Sequence, residues 1–267
     1  MREGIYIAAS GAFKQERKID VIANNLANLT TTGFKGDGLV FREMIPPFTE
    51  SAQLSASLNP KPTALQSDPK VSYVGVADMY TNVSNGILRQ TGNTLDVALQ
   101  GEGFFVVDSP QGQRFTRNGN FQLSEDGTLT TQEGYKVLGE VSGKAEKPIK
   151  IDVREGDISI NSGGEITVDN GEQSTFIGKF QLVSFDDLTK LVKEGNGLFK
   201  IGDPSVKKQS AEKLRVQQGF LETSNVNSIK QMTDMIVTLR ALEAYQKIIQ
   251  SIDEADDQAV NAIGRLI

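Results

Sequence analysis

The stretch LDVALQGEGFFVV, residues 95–107, decides the fold of the central part of the chain. Its two short runs of mainly β-forming residues, 95–99 and 104–107, are separated by glycines, which is typical of consecutive strands. Gly101 and Gly103 do not indicate a nucleotide-binding loop, because a third glycine is missing and the run precedes a strand instead of opening a helix. They favour a β-bulge or a hairpin corner.

Beyond this stretch, short runs in which apolar and polar residues alternate continue along the chain, for example at residues 158–160. This alternation is the period of two that is typical of strands. The dipeptides Asn118-Gly119 and Asp126-Gly127 accept the positive φ angles of tight hairpin turns. The sequence therefore predicts a central all-β domain over residues 71–222.

Residues 1–35 have the spacing of a helix. Apolar residues are spaced alternately three and four positions apart, which is the pattern of a narrow coiled-coil seam. This pattern predicts that the helix packs against a partner helix. We expect this helix to end at residues 30–33, where three threonines and a glycine disfavour continuation. The seam residues are Ile5, Ala8, Ala12, Gln15, Ile19, Ile22, Leu26 and Leu29.

Helical spacing returns in residues 223–267. At 1.5 Å per residue the N-terminal helix would be about 40 Å long and the C-terminal helix about 60 Å, so the first cannot cover the second. The seam residues of the second helix are Ile229, Met232, Ile236, Leu239, Leu242, Tyr245, Ile249 and Ile252.

These features predict an α+β protein in which the long N- and C-terminal helices pair as a coiled-coil-like core domain. Residues 36–70 hold five of the eight prolines and predict an extended connector arm. The uncovered part of the longer seam requires other chains, so we expect self-association. If that contact is heterologous and does not close a ring, a filament or tube results.

Composition excludes most catalytic chemistry. The 267 residues contain no His, Cys or Trp, which removes imidazole bases, thiolate nucleophiles and nearly all zinc or iron sites. An oxygen-ligated cation such as calcium would still be compatible with this composition, but the acidic group at residues 253–257 lacks the glycine and spacing of a calcium loop, so we expect neither a cofactor nor a metal site. A net charge of -6 argues against a nucleic-acid partner. The N-terminus lacks the apolar region of a cleaved signal, and no run of about 20 apolar residues indicates membrane insertion.

Two rival classes stay open from the residues alone. A carboxylate-dependent enzyme acting on peptidoglycan would need two acidic side chains about 5 to 9.5 Å apart in one cleft, and no paired motif indicates them. The other rival is a coiled-coil binding module or adhesin.

Asparagines cluster near the end of the first helix. Asn24 and Asn28 lie one turn apart, with Asn25 beside them. Their amides could bind a neighbouring helix or loop and fix its register, as a buried Asn does in coiled coils, or they could belong to a fraying helix end.

Three blocks of the chain carry a family resemblance: ANNLAN at 23–28 with TGFK at 32–35, LDVALQGEGFF at 95–105 with FTRNGNF at 115–121, and GFLETSNVN at 219–227 with residues 232–236 beyond it. Together they resemble the bacterial flagellar axial proteins of the rod and hook. Members of the proximal rod are most similar in length and in the start Gly4-Ile5-Tyr6, and distal-rod members are second because Leu242 and Tyr245 depart from their pattern.

This resemblance implies a structural axial subunit of the flagellar basal-body rod, without catalytic activity, whose terminal helices form the inner core of a tube that transmits torque. It implies other rod subunits and copies of itself as partners, with ring proteins as further candidates. It also implies a periplasmic rod location, reached through the flagellar type III apparatus without signal cleavage. The predicted assembly-interface residues are Ile19, Ile22, Asn24, Asn25, Leu26, Asn28, Gly33, Phe34, Lys35, Ser224, Asn225, Val226, Ile236, Leu239 and Ile249.

Overall fold

The computed structural model describes residues 2–44, 73–141, 144–152, 156–171, 173–211 and 214–264. In these residues there are two α-helices, α1 at Arg2–Ala27 and α2 at Ser228–Gly264, with strands and a short 3-10 helix at Leu188–Lys190 between them. The strands are β1 Asp37–Met44, β2 Tyr73–Thr81, β3 Leu88–Gln90, β4 Val97–Gln100, β5 Phe104–Ser109, β6 Gly112–Thr116, β7 Phe121–Leu123, β8 Leu129–Thr131, β9 Lys136–Val141, β10 Lys144–Pro148, β11 Asp157–Ile160, β12 Glu165–Asp169, β13 Ser174–Phe180, β14 Leu182–Phe185, β15 Leu191–Glu194, β16 Leu198–Ile201, β17 Lys208–Ser210, β18 Arg215–Gln218 and β19 Phe220–Glu222.

The largest sheet has thirteen strands in the described residues, and its path runs β11-β12-β13-β9-β5-β6-β16-β15. Its registered pairs are antiparallel, as in the hairpin of β5 with β6, where Phe105 faces Thr116 and Val107 faces Arg114. Three two-stranded sheets accompany it: β1 with β2, β18 with β4, and β19 with β3.

The apolar run of β5 explains why this strand is central. Phe105 and Val107 lie in one hydrophobic cluster, whereas Phe104 and Val106 lie in a second cluster on the other face. A strand that is buried on both faces needs a continuous apolar run, which the sequence supplies here.

One of the two predicted hairpin dipeptides behaves as expected. Gly127 has φ +76° between the paired strands β7 and β8, so the turn prediction at Asp126-Gly127 is confirmed. The prediction at Asn118-Gly119 is wrong, because β7 pairs with β8 and not with β6. Gly119 serves close packing instead, since a Cβ there would lie 1.6 Å from the carbonyl oxygen of Val97.

The chain divides into two compact units. The helical unit comprises Met1–Asn24, Gly38–Tyr80 and Ile229–Ile267, and the β unit comprises Asn25–Asp37 and Thr81–Ser228. Of the segment predicted as a connector arm, the first part forms β1, and residues 45–70 lie outside the described residues.

Within the helical unit, α1 and α2 touch at two glycines of α1. Gly4 lies against Ile252, and a Cβ on Gly11 would be 2.4 Å from the ring of Tyr245. Since residue numbers rise along one helix while they fall along the other, the helices run antiparallel where they touch. The absent side chain of Gly11 lets the Tyr245 ring lie directly on the backbone of α1.

The predicted fold class, with a coiled-coil-like core domain of paired terminal helices, is wrong. The hydrophobic core lies in the antiparallel sheet, and the buried residue of α2 among those described is the polar Thr238. A coiled coil needs one continuous apolar seam. In α2 the apolar residues are divided between two faces: Leu242, Tyr245, Ile249 and Ile252 are half-buried, whereas Ile229, Met232, Ile236 and Leu239 are exposed.

Candidate functional site

Three charged side chains from distant parts of the chain meet inside the β unit. The Nζ atom of Lys35 donates a hydrogen bond to Oε1 of Glu222 at 2.6 Å, and Nη1 of Arg117 donates to Oε2 of Glu222 at 3.3 Å. All three side chains are at most 2% exposed. We call Lys35, Arg117 and Glu222 the ion cluster.

The turn that follows α1 places Lys35 in the ion cluster. Gly33 has φ +67°, a conformation that L-residues with a Cβ rarely adopt, and its N–H donates to the carbonyl oxygen of Glu222 at 2.8 Å. A Cβ on Gly33 would lie 2.6 Å from the backbone of Arg117 and Asn118. The chain can therefore pass between the elements that carry Arg117 and Glu222 only because residue 33 is glycine.

Backbone groups satisfy most of the remaining hydrogen-bonding capacity of the ion cluster. The Nζ atom of Lys35 also donates to the carbonyl oxygen of Ser84 at 2.8 Å, and Oε1 of Glu222 accepts the N–H of Gly86 at 2.7 Å. Arg117 donates to carbonyl oxygens of Leu99 and Gly101 and to the amide oxygen of Asn85. Among the described residues, Nε of Arg117 has no partner.

Burial governs the electrostatics of the ion cluster. Removal from water lowers the pKa of Lys35 below its ordinary value of 10.5, and the charge of Glu222 opposes this shift. Burial likewise lowers the pKa of Arg117, and Glu222 again opposes the shift. Because one carboxylate faces two cations, Glu222 is the group that makes the burial of both tolerable.

Two asparagines hold the backbone next to the ion cluster. The amide of Asn25 donates to the carbonyl oxygen of Asp37 and accepts the N–H of Asp37, both at 2.8 Å. Asn225 accepts the N–H of Gly36 at 2.8 Å and donates to the carbonyl oxygens of Asn82 at 2.7 Å and Ser84 at 3.0 Å. Each amide thus binds a loop of its own chain and fixes the path of residues 36–37.

Lys193 of β15 covers the same turn. Its Nζ atom lies 3.7 Å from the ring centroid of Phe34 and donates to the carbonyl oxygen of Lys35 at 2.8 Å and to Oδ2 of Asp37 at 2.9 Å. Phe34 is consequently buried under a cation.

The structure brings together part of the predicted interface set. The ion cluster and its neighbourhood include Asn25, Gly33, Phe34, Lys35 and Asn225, with Ser224 and Val226 half-buried alongside in sequence. The remaining predicted residues lie elsewhere: Asn24, Ile236 and Leu239 are exposed, Ile19, Leu26, Asn28 and Ile249 are half-buried, and Ile22 is buried.

Sequence reasoning missed the two partners of Lys35. Arg117 and Glu222 lie inside the second and third family-like blocks, FTRNGNF and GFLETSNVN, but neither was singled out. The sequence did contain a clue, because each of the three blocks holds one charged residue of the ion cluster. The single negative charge among them can partly neutralise the two positive charges when all three are buried.

In the part of the chain that the structure describes, no group of three or more acidic, His or Cys side chains is placed to hold a metal ion. Neither described helix combines the length and apolarity needed to span a membrane.

Family models match the three regions that supply the ion cluster. Residues 5–35 match the flagella basal body rod protein model, residues 98–168 the flagellar hook protein FlgE/F/G D1 domain, and residues 217–262 the flagellar basal body rod FlgEFG protein C-terminal model. Each of these regions contains one of Lys35, Arg117 and Glu222.

Full-length relatives agree with these matches. The chain is 32% identical to the flagellar basal-body rod protein FlgF of Caulobacter vibrioides, with all of both chains covered, and 31% identical to FlgF of Mesorhizobium japonicum, with 99% of both covered. It is 33% identical to the flagellar basal-body rod protein FlgG of Bacillus subtilis, covering 98% of this chain and 99% of that protein. The resemblance drawn from the three sequence blocks is confirmed, and the chain belongs to the flagellar basal-body rod protein family.

Proposed function

We propose that this rod protein acts mechanically, as a non-catalytic subunit of the basal-body rod that binds copies of itself and other rod subunits. The observation that carries the proposal is the exposure of large apolar side chains on both helices. Ile229 of α2 is 77% exposed and Tyr6 of α1 is 61% exposed. Apolar side chains grouped on a helix and open to water favour contact with another protein.

In this proposal the ion cluster has an internal role. A buried charge set need not add stability, and we propose that this one specifies a conformation, because it joins three separated segments of one chain. It would hold the residues that follow α1 and those that precede α2 in one fixed arrangement under load. The buried Gly33, Phe34 and Lys35 then support the interface instead of touching a neighbour.

In this proposal each segment of the chain has its own structural role. Residues 1–35 and 223–267 supply subunit contacts, with Asn24, Ile236 and Leu239 exposed for that purpose. Residues 71–222 form the body, and residues 36–70 add contacts that resist shear. The chain is about equally identical to FlgF and to FlgG, so we base the proximal-rod position on its length and on the start Gly4-Ile5-Tyr6, with the FlgG-type distal rod as the alternative within the family.

A peptidoglycan-cleaving enzyme is the rival function, and its general acid needs a raised pKa. Four carboxylates have a pKa that is lowered, chiefly by hydrogen bonds, so none of these four fits that role; they are Asp126, Asp187, Glu194 and Asp203.

Electron microscopy tests the mechanical proposal. The purified full chain is imaged alone over a range of concentrations and after mixing with other rod proteins. We expect filaments or co-assembled rods, and no release of soluble fragments from peptidoglycan. Inert monomers under every condition, or peptidoglycan cleavage, would contradict it.

A further inference from the structure

The chain contains four Asn-Gly dipeptides, at residues 85–86, 118–119, 170–171 and 196–197. Such a pair can react without an enzyme: the backbone nitrogen of the glycine loses its proton and attacks Cγ of the asparagine, and ammonia leaves. Water then opens the resulting succinimide ring to aspartate or isoaspartate. Glycine favours the reaction because it has no side chain to hinder the attack. In a folded chain, the surroundings of each pair decide whether it reacts.

Two of the four pairs are held by the packing of the β unit. The N–H of Gly86 donates to Oε1 of Glu222 at 2.7 Å, so its nitrogen is bound to the ion cluster. Gly119 is buried, and a Cβ there would lie 1.6 Å from the carbonyl oxygen of Val97, so its backbone has no room to move. Neither nitrogen can reach the preceding amide without breaking close-packed contacts.

The pair at residues 170–171 is exposed, but hydrogen bonds hold both of its reacting groups. The N–H of Gly171 donates to Oδ1 of Asp169 at 3.0 Å, and Oδ1 of Asn170 accepts the N–H of Gln173 at 3.2 Å. Deprotonating a nitrogen that donates to a carboxylate breaks a charge-assisted hydrogen bond and brings two negative charges together. This pair is therefore protected by its hydrogen bonds and not by burial.

The pair at residues 196–197 forms the tip of the hairpin that joins β15 to β16. The N–H of Leu198 donates to the carbonyl oxygen of Gly195 at 3.2 Å, and φ is +59° at Asn196 and +68° at Gly197. Positive φ at both central residues defines a type I′ turn, for which Asn-Gly is the preferred sequence. Asn196 is exposed, and a Cβ on Gly197 would meet no other atom within 4 Å. Among the described residues, neither the Asn196 amide nor the Gly197 N–H has a hydrogen-bond partner.

We propose that Asn196 is a site of spontaneous modification, which deamidates through attack by the Gly197 nitrogen while the other three Asn-Gly pairs persist. The proton lost by Gly197 leaves with the amide nitrogen as ammonia, one water molecule is consumed, and no oxidant is needed. The product carries aspartate or isoaspartate at position 196, with one additional negative charge. The reaction takes place within one chain, so the proposal does not depend on the mechanical role.

Isoaspartate at this tip would disturb the elements around it. It lengthens the backbone by one carbon atom, which a type I′ turn cannot accommodate without moving its ends. The carbonyl oxygen of Gly197 accepts a hydrogen bond from Oγ1 of Thr116 at 3.0 Å, which ties the turn to β6. On β15, the Nζ atom of Lys193 lies 3.7 Å from the ring centroid of Phe34. Conversion of Asn196 is therefore expected to loosen both the hairpin and the cover that Lys193 provides over the turn after α1.

Timed peptide mapping tests the site on the native chain. The purified full chain is held in warm, mildly alkaline buffer, and samples are digested with trypsin at intervals and analysed by mass spectrometry. The four Asn-Gly pairs fall in four different tryptic peptides, so each asparagine is followed separately by its gain of one dalton. We expect the peptide with Asn196 to convert several-fold faster than any of the other three. An isoaspartate-specific carboxyl methyltransferase should label the same peptide.

The same chain in concentrated guanidinium chloride is the matched control. Unfolding removes the packing and the hydrogen bonds that protect the other three pairs, so the four peptides should convert at similar rates there. A preference for Asn196 that appears only in the folded chain belongs to the structure and not to the local sequence.

Two variants test the structural consequence. Asn196→Gln blocks the reaction, because its longer side chain closes a ring much more slowly, and Asn196→Asp supplies the charge without the longer backbone. After the same incubation the melting temperature of the native chain should fall, whereas that of Asn196→Gln should stay constant. The fall should exceed the difference between fresh Asn196→Asp and the fresh native chain. Circular dichroism confirms that both variants are folded.

The outcomes separate the site from its consequence. Conversion of Asn85, Asn118 or Asn170 as fast as that of Asn196 in the folded chain would overturn the proposed site. Absence of conversion at all four, under conditions that convert Asn196 in the unfolded chain, would also overturn it. An unchanged melting temperature after full conversion would overturn the proposed loosening of the hairpin.

Discussion

Glutamine at position 222 would remove the carboxylate of the ion cluster while keeping the shape of the side chain. In the native protein this carboxylate accepts from Lys35 at 2.6 Å, from the Gly86 N–H at 2.7 Å and from Arg117 at 3.3 Å. After Glu222→Gln, two buried cations would face each other, and one glutamine position would present N–H donors to them. The substitution therefore removes an attraction and adds a repulsion.

The expected loss is large. Breaking a buried ion pair by removing one partner costs about 3–5 kcal/mol. For a unit of this size, at about 2–4 °C per kcal/mol, the melting temperature should fall by roughly 6–20 °C. The fall is measured by calorimetry and by circular dichroism of the β signal, supported by urea denaturation.

Two further variants make the interpretation specific. Lys35→Met leaves Glu222 paired with Arg117 and removes a cation whose burial is unfavourable, so it should destabilise much less than Glu222→Gln. The acceptors that lose Lys35 keep other donors, since Gly86 still donates to Glu222 and Asn225 to the Ser84 carbonyl. Glu194→Gln is the control on a carboxylate that is 31% exposed and pairs with Arg114 and Lys200, so its loss of melting temperature should be far smaller than that of Glu222→Gln.

The reasoning would be refuted if the Glu222→Gln variant had the same melting temperature as the Glu194→Gln variant, close to that of the native protein. It would also be refuted if Lys35→Met lost as much stability as Glu222→Gln, because the anion would then not be the limiting charge.

The remaining predictions concern glycines and pH. Gly33→Ala should lower the free energy of unfolding, measured by urea denaturation, by more than about 2 kcal/mol, because the new Cβ clashes with backbone and residue 33 has φ +67°. Gly92→Ala is the control: residue 92 has φ +77° but open space around it, so this variant should lose only the energy of backbone strain. Gly11→Ala should speed hydrogen exchange in α1 because its Cβ meets the Tyr245 ring, and Tyr245→Ala in the same chain should reverse that effect. At alkaline pH, below 10.5, the unfolded chain binds more protons at Lys35 than the folded one, so stability from this group rises with pH. Melting curves should show that rise shrink in Lys35→Met, and an unchanged pH profile would contradict the lowered pKa.

Local patterns of the sequence predicted local structure well. The run at residues 104–107 becomes a strand buried on both faces, and the turn at Asp126-Gly127 joins β7 to β8. The formation of the strand and of the turn depends mainly on neighbouring residues, whereas the burial of both faces of the strand depends on the distant strands packed around it. The three family-like blocks were equally readable, because they are short and continuous.

Patterns that depend on a partner were read less well. The spacing of apolar residues in α2 predicted one continuous coiled-coil seam. In the structure, however, Leu242 and Tyr245 are half-buried while Ile229 and Ile236 are exposed. Heptad spacing does not determine which apolar residues of α2 contact α1 and which remain exposed to solvent. Asn25, also flagged from sequence, binds the backbone of Asp37 in its own chain.

By itself the sequence determined the positions of two long helices, the strand-rich middle, the absence of imidazole and thiol chemistry, and the family. Only the tertiary structure decided that Lys35 meets Glu222 across 187 residues and that Arg117 meets it across 105. The reason is physical: periodicity records which face of an element avoids water, whereas the partner of a buried charge depends on the path of the whole chain. The same applies to Gly33, whose need for glycine arises from backbone that lies far away in sequence.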